Sequence, residues 1–570
     1  MHVATTRRQH KDKVYETHLL RRSYREAGKV KNETLANLSY LPAETIQLIR
    51  ESLAGKSHVA AGEGFEIERS LPHGHVAAVF AMADKLGLAK LLGPACPERD
   101  LALSLVVARC CEPASKLATT RWWQDSTLGA DLVPAGSTPD EVYAAMDWLV
   151  SRQDGIERSL ARRHLAEGSM VLYDLSSSWM EGTHCPLAKR GYSRDGKSGK
   201  AQIEYGLMTD REGRPLSVEV FPGNTADPTA FISAAEAVRT RFSLGEVVMV
   251  GDRGMITSAR IEALRELGGI SWVTCLRAPA IKALAEGGAL QLSLFDETNL
   301  AEITHPDYPG ERLVACRNPA LAAERARKRS ELLDATEALL VPIATAVAAG
   351  RLAGADKIGL RVGRHVNRYK MAKHFDPVIK DDSFSFSRRQ AEIDAEACLD
   401  GIYVIRTNVA KEQLDAGAAV TAYKGLSVVE RDFRSLKAID LDLRPIYHHT
   451  EDRVRAHVFI CMLASYVVWH LRQAWAPMCF TDEEIPERDD PVAPAERSKA
   501  ASVKDAGKKT PAGEMVHTLS TLLNHLATLT RNTVVFTGGV RVDKLALPTP
   551  TQRRAFELIG ATIPTKIGPT

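Results

Sequence analysis

The run Met170-Val171-Leu172-Tyr173-Asp174-Leu175-Ser176-Ser177-Ser178-Trp179 decides the fold class. Upstream, from about residue 44 to 166, apolar residues recur at three and four, as in VAAVFAMADKLGLAKLLG and LALSLVVARCCE, which is helical spacing. At Gly168 that period stops. The run that follows is short, apolar and β-rich, and it ends in serines, so it reads as the first strand of a sheet. QIEYGLMT, a turn at Asp210–Pro215 and LSVEVFPG then read as two strands joined in a hairpin. Asp227-Pro228 opens a helix through FISAAEAVRTRF, EVVMVGD (Glu246–Asp252) is a buried strand, TSARIEALRELG a helix and SWVTCLRA another strand. The order β-β-β-α-β-α-β predicts an α/β core.

Around this core the chain divides. Residues 1–43 form a basic region with a hairpin turning at Glu26–Lys29, and residues 44–166 form an all-helical N-terminal domain expected to bind DNA. Thr138-Pro139-Asp140-Glu141 marks one helix start there, with Thr138 as cap and Glu141 closing a capping box. Residues 167–280 are the first part of the core. Residues 281–397, with a long charged helix from Leu321 to about Leu340 before Pro342, read as an insertion. Residues 398–475 resume the core with IYVIRT, an amphipathic helix from about Ala419 to Lys437 and a strongly apolar helix from Glu451 to Ala474. Residues 481–513 are rich in charge, Pro, Ala and Ser and read as a disordered linker, followed by a C-terminal segment, 514–570.

At 570 residues the chain exceeds one ordinary core, and 45% hydrophobic with 25% charged residues is a globular composition. The net charge of +3 excludes a polybasic protein, but residues 1–31 hold nine Lys or Arg against three acids, an excess that favours a polyanion. The nine cysteines include no CxxC pair and no zinc spacing, and they read as reduced thiols. Neither a signal peptide nor about 18 uninterrupted apolar residues is found, so a cytoplasmic, nucleoid-associated protein without a membrane partner is expected.

Two carboxylates stand out. Asp174 lies inside an apolar strand, where burial is costly without a partner, and Asp252 closes another. Strand ends in open α/β sheets are where ligands gather, and two neighbouring carboxylates attract a hard cation such as Mg²⁺ or Mn²⁺. Each taken singly also suits a turn or helix-start role. A third acid is offered by Tyr423–Lys437. Seven residues separate Tyr423 from Glu430 and Glu430 from Lys437, so with Arg434 these side chains share a helix face that suits metal plus phosphate, or a solvated face with charge pairs. His448 and His449 follow Pro445 in a loop and read as structural, and Trp179 suits either base stacking or the core rim.

These residues resemble the insertion-sequence transposases of the Asp-Asp-Glu superfamily, in the family-four-like group marked by Tyr-x2-Arg-x3-Glu-x6-Lys. Tyr423, Glu430 and Lys437 match, while Leu426 stands at the Arg position and Lys424, Arg431 or Arg434 would substitute. VLYDLSSSW, VMVGDRGM and RPIYHHTEDRVRAHVFICMLA extend the resemblance over about 168–475. It implies an RNase H-like core interrupted by an insertion, with Asp174, Asp252 and Glu430 as catalytic residues holding two Mg²⁺ or Mn²⁺ ions. Tyr423, Arg434, Lys437 and Arg253 would contact DNA. It further implies recognition of terminal inverted repeats and of target DNA, strand cleavage and strand transfer, and a homodimer on paired DNA ends. A metal-dependent nuclease on the same fold, or a non-catalytic DNA-binding derivative, are the alternatives.

Overall fold

The computed structural model describes all residues except 12, 57, 59–63, 183, 198, 292–294, 487–489, 538, 569 and 570. Two compact units form, residues 1–71 with 531–546 and residues 72–530 with 547–570. In the first, His2–His10 (β1), Lys13–Glu26 (β2) and Lys29–Asn37 (β3) make an antiparallel sheet in that order. The turn expected at Glu26–Lys29 is present, with Ala27 and Gly28 at φ 50° and 79°, the left-handed geometry that suits a tight hairpin. The third strand, β1, was not expected. Its residues are almost all exposed, so no period-2 apolar pattern announces it, and it is held by its ladder and by cross-strand pairs such as Arg7–Glu16 at 2.5 Å.

The all-helical reading of residues 44–166 is corrected in the same unit. Helix Ala43–Leu53 is followed by a strand, Phe65–Pro72 (β4), and only from Gly74 to His164 is the chain helical between its turns. The partner of β4 lies far along the chain, which is why short-range periodicity misses it. In the second unit, the capping box at Thr138 and Glu141 starts helix Pro139–Ser151 as expected. Helix Pro97–Cys111 is buried on every side from Leu101 to Cys110 and packs with Pro139–Ser151 against the apolar helix Glu451–Ala474. That last helix is long and apolar enough to cross a membrane, yet its side chains from Ala456 to Val468 are buried in the protein core.

The central sheet is built from Ser169–Trp179 (β5), Gln202–Asp210 (β6), Pro215–Pro222 (β7), Val247–Val250 (β8), Ile270–Cys275 (β9), Leu300–Ile303 (β10) and Arg312–Arg317 (β11). A separate hairpin, Phe375–Ile379 (β12) and Phe384–Arg388 (β13), precedes the last sheet strand, Ile402–Thr407 (β14). The order is β10-β11-β14-β9-β8-β5-β6-β7, with β5, β8 and β9 mutually parallel and the other pairings antiparallel. This mixed α/β arrangement fits an RNase H-like core.

Thr530–Phe536 (β15) and Arg541–Leu545 (β16) return to the first unit, where the sheet order is β16-β15-β4.

Three further readings change. The segment taken as an insertion gives β10 and β11 to the main sheet, and only its later part, helices Pro319–Ala348 and Ala355–Val366 with the β12–β13 hairpin, has a core of its own around Leu340, Ile358 and Phe375. The long helix also runs through Pro342 instead of stopping before it. Burial of Leu340, Ile343 and Val347 in that small core offsets the backbone bond that proline removes. Residues 499–507, expected to be disordered, form a helix capped by Ser498. It is anchored by the buried Lys504, which donates to the carbonyls of Ala476, Cys479 and Thr481. A composition argument that weighs only large apolar side chains misses such a lysine anchor.

A buried ion pair ties the helices to the sheet. Glu157, fully buried on helix Gln153–His164, accepts from Arg241 at 2.6 Å, from Ser217 Oγ and from the Val218 backbone of β7. Arg241 keeps a second partner in Asp154 at 3.1 Å, so Glu157→Ala chiefly leaves the Ser217 hydroxyl and the Val218 N–H without their acceptor and is expected to destabilise by about 1–3 kcal/mol in guanidinium unfolding monitored by tryptophan fluorescence.

Candidate functional site

The parallel ladder of β5 and β8 pairs Ser169 with Val247 and Leu172 with Val250, an offset of 78 residues. Asp174 and Asp252 are separated by the same 78, each two residues beyond the last pair, so the register carries both carboxylates to one level of the sheet. Burial pushes the Asp174 carboxyl up to about 7. Its bond from the Leu175 N–H and the charge of Arg194 oppose that rise, while the charges of Asp252 and Glu430 add to it.

Glu430 arrives on helix Leu426–Arg434, whose residues Leu426, Val429 and Phe433 are buried and pack toward β5, leaving Glu430 exposed. Phe433 meets Tyr205 of β6 edge-on, ring centres 5.6 Å apart. Tyr423, on the preceding helix Ala416–Lys424, donates its hydroxyl to Asp252 Oδ1 at 3.0 Å. The structure thus brings Asp174, Asp252, Glu430 and Tyr423 together electrostatically. Among the described residues, however, no three His, Cys, Asp or Glu side chains close into a metal-ligating group. The donors are hard carboxylate oxygens whose mutual repulsion a divalent cation would relieve, and in that chemical respect the set fits one.

The remaining residues expected to line a DNA path separate. Arg434 and Arg253 are exposed. Lys437 is not. The helix loosens into a π-turn at Ser435–Ile439, which rotates the face expected from seven-residue spacing. Lys437 is thereby buried, with its ammonium 2.8 Å from Asp195 Oδ1, and it positions a loop rather than facing solvent. Leu426 sits in the main core, and Lys424 donates to the carbonyls of Pro491, Val492 and Ala493, leaving Arg431 and Arg434 as the exposed cations of this stretch.

Sequence reasoning passed over the loop between β5 and β6. Its stretch Lys189–Lys200 carries Lys189, Arg190, Arg194, Lys197 and Lys200 among glycines and serines, a basic cluster that could have marked it. The Arg194 N–H donates to Ser177 Oγ, its guanidinium donates to Asp227 at 2.6 Å, and it lies 3.5 Å from Glu204. Burial lifts Glu204 to about 7, with Asp227 adding and Arg194 opposing. Asn224 lines a cavity of about 430 Å³ with Arg194, Glu204 and Asp227. Trp179 lies between two cations, Lys197 at 5.4 Å and Arg444 at 5.0 Å from its ring centre. A second basic surface is the exposed stripe Lys357, Arg361 and Arg364 on helix Ala355–Val366, opposite the buried Ile358, Val362 and Val366.

Comparison with known proteins gives two family matches. Residues 3–65 match the N-terminal domain of IS1634 family transposases, and residues 176–467 match the transposase DDE domain. The second match begins two residues after Asp174 and includes Asp252 and Glu430. No curated protein matches the chain. Among solved structures, a piggyBac transposase synaptic complex with hairpin DNA, seen by cryo-EM, aligns over 81% of both chains at 8% identity and a TM-score of 0.32, too loose a likeness to carry an argument.

Asp174 is protonated more readily in the fold than at its ordinary value of 3.8, so its contribution to stability is complete at low pH and is lost as pH rises through about 7. Asp174→Asn, which never ionises, should melt higher than wild type above that pH in the presence of chelator. Calorimetry should show the advantage shrinking as pH is lowered below it.

Proposed function

The chain belongs to the DDE-domain transposases of insertion sequences, and from that premise we propose that it binds the terminal inverted repeats of its element, cleaves DNA strands and joins them to target DNA. The observation that carries the chemistry is the matched offset of Asp174 on β5 and Asp252 two residues past the end of the parallel β8, with the charges of Asp252 and Glu430 acting on Asp174.

In this reading Asp174, Asp252 and Glu430 hold divalent metal, Mg²⁺ or Mn²⁺ and two ions in all. Bound metal would supply Lewis-acid stabilisation of the attacking and leaving oxygens of a phosphodiester. The chain's own residues position the reactants. Tyr423 holds Asp252 in one orientation, and Arg194 keeps positive charge beside Asp174. Arg434, Arg431 and Arg253 are exposed and contact phosphates near the cut, Trp179 with its flanking cations stacks on or abuts a base, and Lys437 acts by fixing Asp195.

Two basic surfaces support DNA as the partner. In the N-terminal sheet, Arg8, Arg25 and Lys29 are exposed and make no ion pair among the described residues, so they suit the terminal repeat. The Lys357–Arg364 stripe suits flanking duplex. Pairing of two element ends makes a homodimer the expected assembly.

A labelled terminal-repeat duplex with Mg²⁺ or Mn²⁺ tests the proposal. Asp174→Ala, Asp252→Ala and Glu430→Ala are each expected to lower cleavage and joining together by at least about a thousandfold, with duplex binding retained. Cleavage without joining by the wild type would identify a nuclease, and full activity in any one variant would put the metal site elsewhere. Tyr423→Phe, which deletes only the bond to Asp252, should lower the rate by about ten- to a hundredfold while leaving duplex affinity unchanged.

A further inference from the structure

A cavity of about 400 Å³ lies between the segments Pro113–Leu117 and Asp442–His457, lined by Arg109, Lys116, Arg444, Arg453, His448 and His457, with Asp442 as the acid in its wall. Its floor holds two cations that are only 4% exposed, Lys116 and Arg109. Lys116 donates to His457 Nδ1 at 3.3 Å, and His457 Nε2 donates to the Leu443 carbonyl at 2.9 Å. Arg109 donates to the carbonyls of Leu441 and Ala114. No carboxylate pairs with either among the described residues.

Burying a cation without a counter-charge is costly, and two side by side compound the cost. The strain is visible in the neighbours. Burial first, then the charges of Lys116, Arg109 and Arg453, hold His448 down to about 3, and the same burial drives Lys116 well below its ordinary range. The backbone N–H groups at the start of helix Lys116–Gln124, capped by Ser115, point the same way, since a helix N-terminus favours an anion. At the mouth, Arg453 stacks on the Tyr143 ring at 4.5 Å with its side chain 38% exposed and lies 3.9 Å from the exposed Asp147 carboxylate, and Tyr447 is exposed. Several convergent donors in a cavity larger than a halide ion match a tetrahedral oxyanion with several acceptor oxygens.

One chain of contacts leads from the cavity toward the carboxylate site. Arg444 lines it and binds Asp195, the residue that also takes Lys437 and follows Arg194 in the chain. We infer that this cavity is a binding site for a phosphate group, and that the phosphate comes from the backbone of the DNA held at Asp174 and Asp252. The DNA source rests on the transposase reading, whereas the phosphate site itself does not.

Two measurements on the purified full chain test this. The unfolding midpoint is compared in inorganic phosphate and in chloride at matched ionic strength for wild type, Lys116→Met and Arg453→Gln. Wild type should gain about 2 °C in phosphate, and both variants should lose most of that gain. Lys116→Met can misfold because Lys116 is buried, whereas Arg453→Gln changes a rim residue and keeps the test decisive. Duplex binding is then titrated against salt, and the slope of log affinity against log salt should fall by about 0.9 in each folded variant.

Equal midpoints in phosphate and chloride for wild type, or an equal gain in wild type and Arg453→Gln, would overturn the phosphate site. A lost phosphate gain with an unchanged duplex slope would overturn the DNA source and leave a free phosphate or a phosphorylated small molecule as the ligand. A chain that binds no duplex would sink the transposase reading, while the midpoint comparison would still decide whether the cavity takes phosphate.

Discussion

The parallel ladder between β5 and β8 is the constraint on which the rest depends. Each strand needs its backbone groups paired, and the pairing fixes which residues stand side by side. Once Leu172 lies beside Val250, Asp174 and Asp252 are committed to the same level. A slip of one residue would turn one carboxylate to the other face and set Leu172 or Val250 against the wrong neighbours in a core that covers both faces of these strands. The apolar side chains that stabilise the strands thus hold two like charges together, and the hydrophobic gain outweighs the electrostatic repulsion. Burial at 0–2% for Val171, Leu172, Tyr173, Met249 and Val250 is what makes that bargain possible.

The charges around the site are distributed unevenly. On one side, acids predominate, and Arg194 is shared among Glu204, Asp227 and the field of Asp174. Across the loop, Asp195 takes both Lys437 and Arg444, while Lys116 and Arg109, which line the cavity with Arg444, pair with no acid among the described residues. An excess of negative charge next to an excess of positive charge is what a polyanion bound through a cation requires, the first drawing metal and the second drawing phosphate. Neither half is a stabilising arrangement for the protein by itself.

Much of the core was legible in sequence because its elements announce themselves locally. The hairpin β6–β7, helix Asp227–Thr240, strand β9 and helix Glu451–Ala474 follow from period, turn residues and caps over fewer than thirty residues each. What was missed depends on distant or side-chain-specific partners. Strand β4 pairs with β15 from the other end of the chain, β10 and β11 are short strands whose place in the main sheet is set by β14, and the segment 499–507 is held by one lysine. At the candidate site, Asp174, Asp252 and Glu430 were readable as acids in unexpected places. Arg194 was not, because its loop lacks a period and its role exists only once β5, β6 and helix Asp227–Thr240 are assembled.

Lys437 shows how spacing alone misplaces a side chain. Seven residues place two side chains on one face only while the helix keeps its pitch, and the wider turn at Ser435–Ile439 breaks that condition. The rotation carries a cation from the solvent face into an ion pair with Asp195, and the same pair is reached by Arg444, whose ring-face contact with Trp179 ties it to the end of β5. A lysine read as a direct phosphate contact therefore belongs to the support of the loop that carries Arg194. The exposed cations of the Glu430 helix, Arg431 and Arg434, are left as the ones that face solvent.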